Sequence, residues 1–194
     1  MNRKIIFIAL MIVGFITAQN VQAQQGEFKI NPGLEVGMPM GDFSDVNSIG
    51  FGVTAKGYYG ISDEGAIGLT LGYLTFGGKT VQGNKMKSTD IIPIMAGYRH
   101  HFDQFYGEAQ LGFASVKQAI PFGNPYVGNP YVGNPYVGNP YVGNISVSST
   151  EFSWALGVGY MFNNFDAGIR YQSIQTSGSS SGWIGLRVGY SFDL

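Results

Sequence analysis

Cysteine is absent, which removes disulfides and thiolate metal sites from consideration. Charge is scarce, at 12% of residues, and nearly balanced, with a formal net charge of −1. Nothing in that balance calls for a nucleic-acid partner. Histidine occurs only at His100 and His101. After residue 23 no run of about 20 apolar residues occurs, so no transmembrane helix is expected. Glycine, by contrast, is abundant: 30 residues of 194, about twice its usual share of roughly 7%. Low charge with high glycine is compatible with disorder, but 44% hydrophobic and 14% aromatic residues give this chain something to bury.

The N-terminus reads as a targeting segment. Arg3 and Lys4 form a positive start, and Ile5 to Ile16 is an apolar run too short to span a bilayer. Val21-Gln22-Ala23 then offers the residues signal peptidase reads, with cleavage expected before Gln24. An uncleaved anchor is the weaker reading, because polar residues follow the run at once. Residues 1–23 are therefore expected to be a signal peptide and residues 24–194 one β-barrel domain.

Period-two alternation dominates that domain, and a strand places alternate residues on opposite faces. In the last segment Ile184, Leu186, Val188, Tyr190, Phe192 and Leu194 alternate with Gly185, Arg187, Gly189, Ser191 and Asp193. The same split recurs around Leu156, Ile169, Leu111, Ile94, Leu69 and Val53, and most weakly around Leu34, which makes eight strands. Short turns are expected at Ser62-Asp63-Glu64, Asp103-Gln104 and Asn163-Asn164. Long connections are expected at Met38–Ser48, Gly77–Thr89, Lys117–Thr150 and Ser173–Ser181. Short turns at one end and long loops at the other are the pattern of outer-membrane barrels. The two Asx-containing turns also fix register: Arg99 should oppose Glu108, and Arg170 should oppose Gly157.

A soluble barrel would turn its apolar face inward, a membrane barrel outward. The apolar set here is sorted by depth. Tyr59, Phe102, Phe105, Tyr160, Phe162, Phe165, Tyr190 and Phe192 fall near the expected periplasmic end. Phe51, Tyr73, Phe113, Phe152, Trp154, Tyr171 and Trp183 fall near the outer end, with Ala55, Leu69, Ala96, Leu111, Leu156, Val158, Ile169 and Leu186 between. Two aromatic girdles around an uncharged aliphatic belt point to lipid. The expected fold is all-β: an eight-stranded antiparallel up-and-down transmembrane β-barrel.

Two motifs carry a family resemblance across Gln24 to Leu194. Gly37-Met38-Pro39-Met40-Gly41-Asp42-Phe43-Ser44 looks like the G-x-P-x-G-D-F-S stretch after the first strand of such barrels. Arg187 to Leu194 fits the terminal signal read by the barrel-assembly machinery, with Leu194 where Phe is commoner. The chain thus resembles the OmpA- and OmpX-like small outer-membrane β-barrel proteins. The resemblance implies outer-membrane localisation, bilayer lipid and the assembly machinery as partners, and a monomer without cofactor.

On the inward face Lys29, Lys56, Arg99, Arg170 and Arg187 meet Glu35, Glu108, Asp166 and Asp193. Eight strands leave an interior just wide enough for side chains, so a paired, lumen-filling network is expected rather than an open pore. His100 and His101 point to opposite faces near a periplasmic turn and cannot jointly ligate one metal. Neither is placed as the base of a lipid-modifying barrel enzyme, which works at the outer rim. Neither a catalytic nor a metal site is expected. The one unusual segment is Asn-Pro-Tyr-Val-Gly, repeated four times from Asn124 to Gly143 within the expected extracellular loop 117–150. It reads either as a low-complexity insertion or as a surface ligand presenting Tyr126, Tyr131, Tyr136 and Tyr141. The function expected is structural or surface-interacting (adhesion or binding), with a small porin-like channel as the alternative and a lipid-modifying enzyme as a weaker one.

Overall fold

The structure is a computed structural model that describes residues 25–81, 84–122, 143–176 and 179–194. Eight strands follow one another: β1 (Phe28–Met40), β2 (Asn47–Gly60), β3 (Gly65–Gly78), β4 (Thr89–Phe102), β5 (Phe105–Phe122), β6 (Gly143–Phe162), β7 (Phe165–Thr176) and β8 (Ser179–Tyr190, resuming at Phe192–Asp193). Each pairs antiparallel with its sequence neighbours, and β8 returns to β1, so the sheet closes on itself without an edge. This is the up-and-down barrel that the alternation predicts.

Two prolines account for two gaps in the ladders, while the β2–β3 register shifts by one residue between Asn47 and Gly50. Pro32 lacks an N–H, and the β1–β8 ladder is interrupted, in unchanged register, between Ile30↔Phe192 and Gly33↔Gly189. That gap is what splits β8 at Ser191. Pro93 likewise coincides with a gap in the β3–β4 ladder between Leu71↔Ile94 and Leu74↔Ile91.

The tight turns lie together at one end, called here the turn end, along with both strand termini of the barrel: the Leu194 N–H donates to the Phe28 carbonyl at 3.0 Å. Asp103 and Asn163 open their two-residue turns at φ 62° and 53°, the left-handed backbone that Asx residues tolerate best after glycine. Register follows from them. Phe102 pairs with Phe105 and Arg99 with Glu108; Phe162 pairs with Phe165 and Gly157 with Arg170. The expected positions of Arg99 and Arg170 are thus the observed ones.

The opposite, loop end departs from expectation. The strands run further than the alternation suggested. Met38–Ser48 is not a long loop: β1 continues to Met40, a five-residue helix α1 (Asp42–Val46) follows, and β2 starts at Asn47. Gly77–Thr89 holds a two-residue ladder, Thr80–Val81 with Asn84–Lys85. Ser173–Ser181 is mostly strand, since β7 reaches Thr176 and pairs with Ser179. In 117–150, Lys117 to Phe122 pairs residue for residue with Ser148 to Gly143. Beyond the β4 pair Thr89↔Gln118 and before the β7 pair Phe152↔Gln175 this hairpin stands clear of its neighbours. The four residues from Gly143 to Ser146, paired with Ala119 to Phe122, extend it by about 13 Å at about 3.3 Å per residue. The physical reason for the misreading is that a hairpin above a bilayer has water on both faces, so its sequence need not alternate. The repeat tyrosines Tyr126, Tyr131, Tyr136 and Tyr141 lie outside the described residues.

The outward face carries the belt and girdles. Leu34, Val53, Leu69, Leu111, Leu156, Val158, Ile169 and Leu186 are all exposed, between rings that include Phe102, Phe105 and Phe162 at the turn end and Phe51, Tyr73 and Phe113 nearer the loop end. Trp183 is a correction. It was placed in the outer girdle, yet it is 0% exposed and lies inside the barrel. Its parity is that of Gly185 and Arg187, and parity governs direction regardless of residue type.

Candidate functional site

Among the described residues the interior gathers the buried polar side chains, and it divides into two layers. The turn-side layer is ionic. Arg99 on β4 is its hub: Nη2 donates to Glu108 Oε2 at 2.7 Å, and Nη1 donates to Asp166 Oδ2 at 3.0 Å. Its guanidinium lies between the rings of Tyr58 and Tyr106, 4.2 and 3.6 Å from their centroids. Lys56 donates to both oxygens of Glu108 at 3.0 Å. Tyr58 donates to Glu108 at 3.1 Å and Tyr106 to Asp166 at 2.5 Å. Arg170 pairs with Glu35 through Nε and Nη2, each at 3.0 Å. Arg187 donates to Thr54 Oγ1 and to the Asn31 carbonyl at 2.7 Å, while its ion pair with Asp166 is longer, at 3.5 Å. Gln110 extends this layer, donating to Thr70 and to Glu108 and accepting from Arg170 Nη1 at 3.4 Å.

Of the nine charged residues singled out in the sequence, seven meet in this buried layer. Lys29 and Asp193 do not. They pair at 3.1 Å at the turn-end mouth, where the Asp193 side chain is 55% exposed. Inward parity places a residue in the lumen only if the strand has not yet ended. The partners Tyr58, Tyr106, Asn31, Thr54 and Gln110 complete the site. Their signal in the sequence was inward parity, which does not reveal contacts across the barrel such as Arg170 to Glu35, 135 residues apart.

The loop-side layer is mainly apolar, where mostly glycine, small and polar residues are expected on the inner face. Leu74, Phe76, Ile91, Ala114, Ile174 and Trp183 are buried side by side, and Phe43 comes down on them from α1. Phe43 meets Phe76 edge-on at 5.0 Å, and Phe76 meets Trp183 at 5.5 Å. Helix α1 is held over the mouth by several bonds. The Lys79 N–H donates to the Val46 carbonyl at 2.9 Å, and Lys79 Nζ donates to the Ser44 carbonyl at 2.6 Å. Asn47 bonds both the Phe43 carbonyl and Thr89. Glycine makes room for the plug: a Cβ on Gly50 would fall 2.5 Å from the Phe76 ring. The GDFS portion of the motif after β1 is therefore the device that delivers Phe43.

The histidines are far from this plug. His100 faces outward at the turn end, with Nδ1 3.1 Å from the Tyr98 hydroxyl and Nε2 3.6 Å from Glu64. His101 faces inward beside Tyr106. No group of three potential metal ligands occurs among the described residues. The interior as a whole is built to be filled. Buried Asn47, Thr89, Ser153 and Gln172 lie at the level of the apolar side chains and are held in hydrogen bonds, Thr89 to Asn47 and Gln172 to Ser153.

A closed eight-stranded barrel with a lipid-facing belt and a filled interior defines the class: a small integral β-barrel membrane protein. The chain belongs to the outer membrane protein β-barrel domain family, whose profile matches residues 7–192. Comparison with curated proteins finds no match. Among solved structures it is similar to the N-terminal β-barrel domain of OprF from Pseudomonas aeruginosa, with a TM-score of 0.59 at 14% identity over 87% of this chain and 100% of that one. It is equally similar to Ail, the attachment invasion locus protein of Yersinia pestis, with the same TM-score, identity and coverage. OprG from Pseudomonas aeruginosa gives a TM-score of 0.50 at 11% identity over 88% of this chain and 98% of that one.

Proposed function

We propose that this outer-membrane protein is a non-conducting scaffold that displays its loop end to the cell's surroundings in a structural or surface-interacting role, adhesion or binding. The observation that carries this reading is the seal: a paired ionic layer capped by Phe43, Phe76 and Trp183 leaves the barrel nothing to conduct. In the same reading residues 1–23 are a cleaved leader and the assembly machinery inserts a monomer. The loop end faces outward, and no enzymatic chemistry is assigned.

The likeness to Ail adds direction through that protein's name alone. Ail has been solved in complex with the heparin analogue sucrose octasulfate. The loop end here carries Asp42, Asp45, Asp90 and Glu151 against Lys79, Lys85, Lys87 and Lys117. With the signs equal, a sulfated polyanion is not the ligand class this surface favours. Exposed Ser148, Ser149 and Thr150 on the free hairpin suit an uncharged protein surface, with the repeat tyrosines as the proposed contacts.

The test exploits the Phe122↔Gly143 pair, which an Asn-Gly turn can close in place of residues 123–142. Refolding and heat-modifiable gel mobility should be unchanged in that variant, because the barrel ladders are untouched. Adherence of cells expressing it to epithelial monolayers should fall to the level of a deletion strain. Chymotrypsin added to intact cells should cut the full chain after the repeat tyrosines. Protection in intact cells, with cleavage only after lysis, would invert the topology and remove the display function.

A further inference from the structure

The sealed ionic layer does not balance. Four cations are buried there, Lys56, Arg99, Arg170 and Arg187, against three carboxylates, Glu35, Glu108 and Asp166. The pairing shows where the shortfall falls. Glu35 serves Arg170 alone, Glu108 is shared by Lys56 and Arg99, and Asp166 is shared by Arg99 and Arg187. Arg187 has the weakest anionic contact of the four, at 3.5 Å, and otherwise donates to neutral oxygens. All seven groups are under 9% exposed, so bulk water does not screen the excess. An uncompensated charge in such surroundings is costly.

A cavity lies where the excess is. It measures about 20 Å³ and is lined by Lys56, Arg170 and Arg187 together with Glu108, Gln110 and Tyr106. Three of the four buried cations face it, against one carboxylate that Lys56 and Arg99 already occupy. Arg170 Nη2 is buried there without a well-formed hydrogen bond, although it lies 3.0 Å from Glu35. A space of this size holds one particle of about the volume of a water molecule, for which about 10–15 Å³ suffices. It is too small for a carboxylate or phosphate ligand.

We propose that the cavity between Lys56, Arg170 and Arg187 is a binding site for one monovalent anion of halide size. The ion completes the charge of the lumen and gives Arg170 Nη2, whose contact with Glu35 is poorly aligned for a hydrogen bond, a second anionic partner. It sits among side chains that are under 9% exposed, so it is a structural ion rather than a permeating one. Neutralisation of Lys56 by proton loss, or a water molecule in the cavity, are the competing ways to fill and balance this layer.

The test is crystallographic. Full-length mature protein is refolded and crystallised with bromide as the only halide, and anomalous scattering is recorded at the bromine edge. One peak is expected inside the barrel within contact distance of Lys56, Arg170 and Arg187. It should vanish in Arg187→Gln, which brings the count to three and three. No peak in the wild type, or an undiminished peak in R187Q, would overturn the proposal. Should R187Q fail to refold, urea titration of the wild type decides. At equal ionic strength the folded-to-unfolded ratio should rise in proportion to chloride once the site fills, relative to gluconate. An identical midpoint in the two salts contradicts the site.

Discussion

Replacing Arg99 with leucine should lower the stability of the barrel by about 3–5 kcal/mol, the usual cost of breaking a buried ion pair by removing one partner. The magnitude follows from what Arg99 does alone. Among the described residues it alone bonds both Glu108 and Asp166, and its guanidinium fills the space between Tyr58 and Tyr106. Without it Asp166 keeps only the longer contact with Arg187, besides neutral donors. Arg99→Lys should recover only part of the loss, because a point charge cannot span two carboxylates as a planar fork does. The readout is the urea midpoint of the folded band on unheated gels. An Arg99→Leu midpoint within error of the wild type would mean the ionic layer is incidental to the fold.

The second large effect belongs to the outer face. Leu156 is 56% exposed and pairs with Ala109, midway between Phe105 and Phe113 on β5, which puts it at the middle of the belt. Leu156→Arg should cost about 2–4 kcal/mol in a bilayer, the penalty for arginine at the midplane of a membrane barrel. The same change near the free hairpin, at exposed Ser149, should cost little, since that residue lies beyond the girdle. Unfolding in lipid vesicles measures both. Equal, small effects at the two positions would mean that the belt does not face lipid.

The difference between these two predictions reflects what a sequence can reveal. The belt was legible because lipid on one side and a crowded interior on the other impose period two on every strand. Register was legible at Asp103-Gln104 and Asn163-Asn164, because a two-residue turn leaves no freedom in pairing. The ion pair of Arg99 with Glu108 follows from that local count alone. The bonds of Arg99 to Asp166 and of Arg170 to Glu35 cross the lumen and depend on how the barrel closes, which no local pattern states.

The apolar cap was hidden for a different reason. Leu74, Ile91 and Trp183 lie on the inward parity but are chemically like the lipid-facing set, so an inner face read as polar has no place for them. Trp183 was assigned by residue type when its spacing from Arg187 already placed it inside. Helix α1 has only five residues, too few to show a period of 3.6, and its role depends on one side chain, Phe43. The extension of β5 and β6 above the girdle was invisible because serine and threonine facing water on both sides look like loop.

Current through a single inserted barrel reports whether the lumen is closed. The wild-type protein in a planar bilayer should show no large, steady conductance at moderate voltage, because the ionic layer and the Phe43 cap both block the path. Frequent, long-lived openings of porin size, altered by substitutions at Arg99 or Glu108, would show instead that this barrel is a channel.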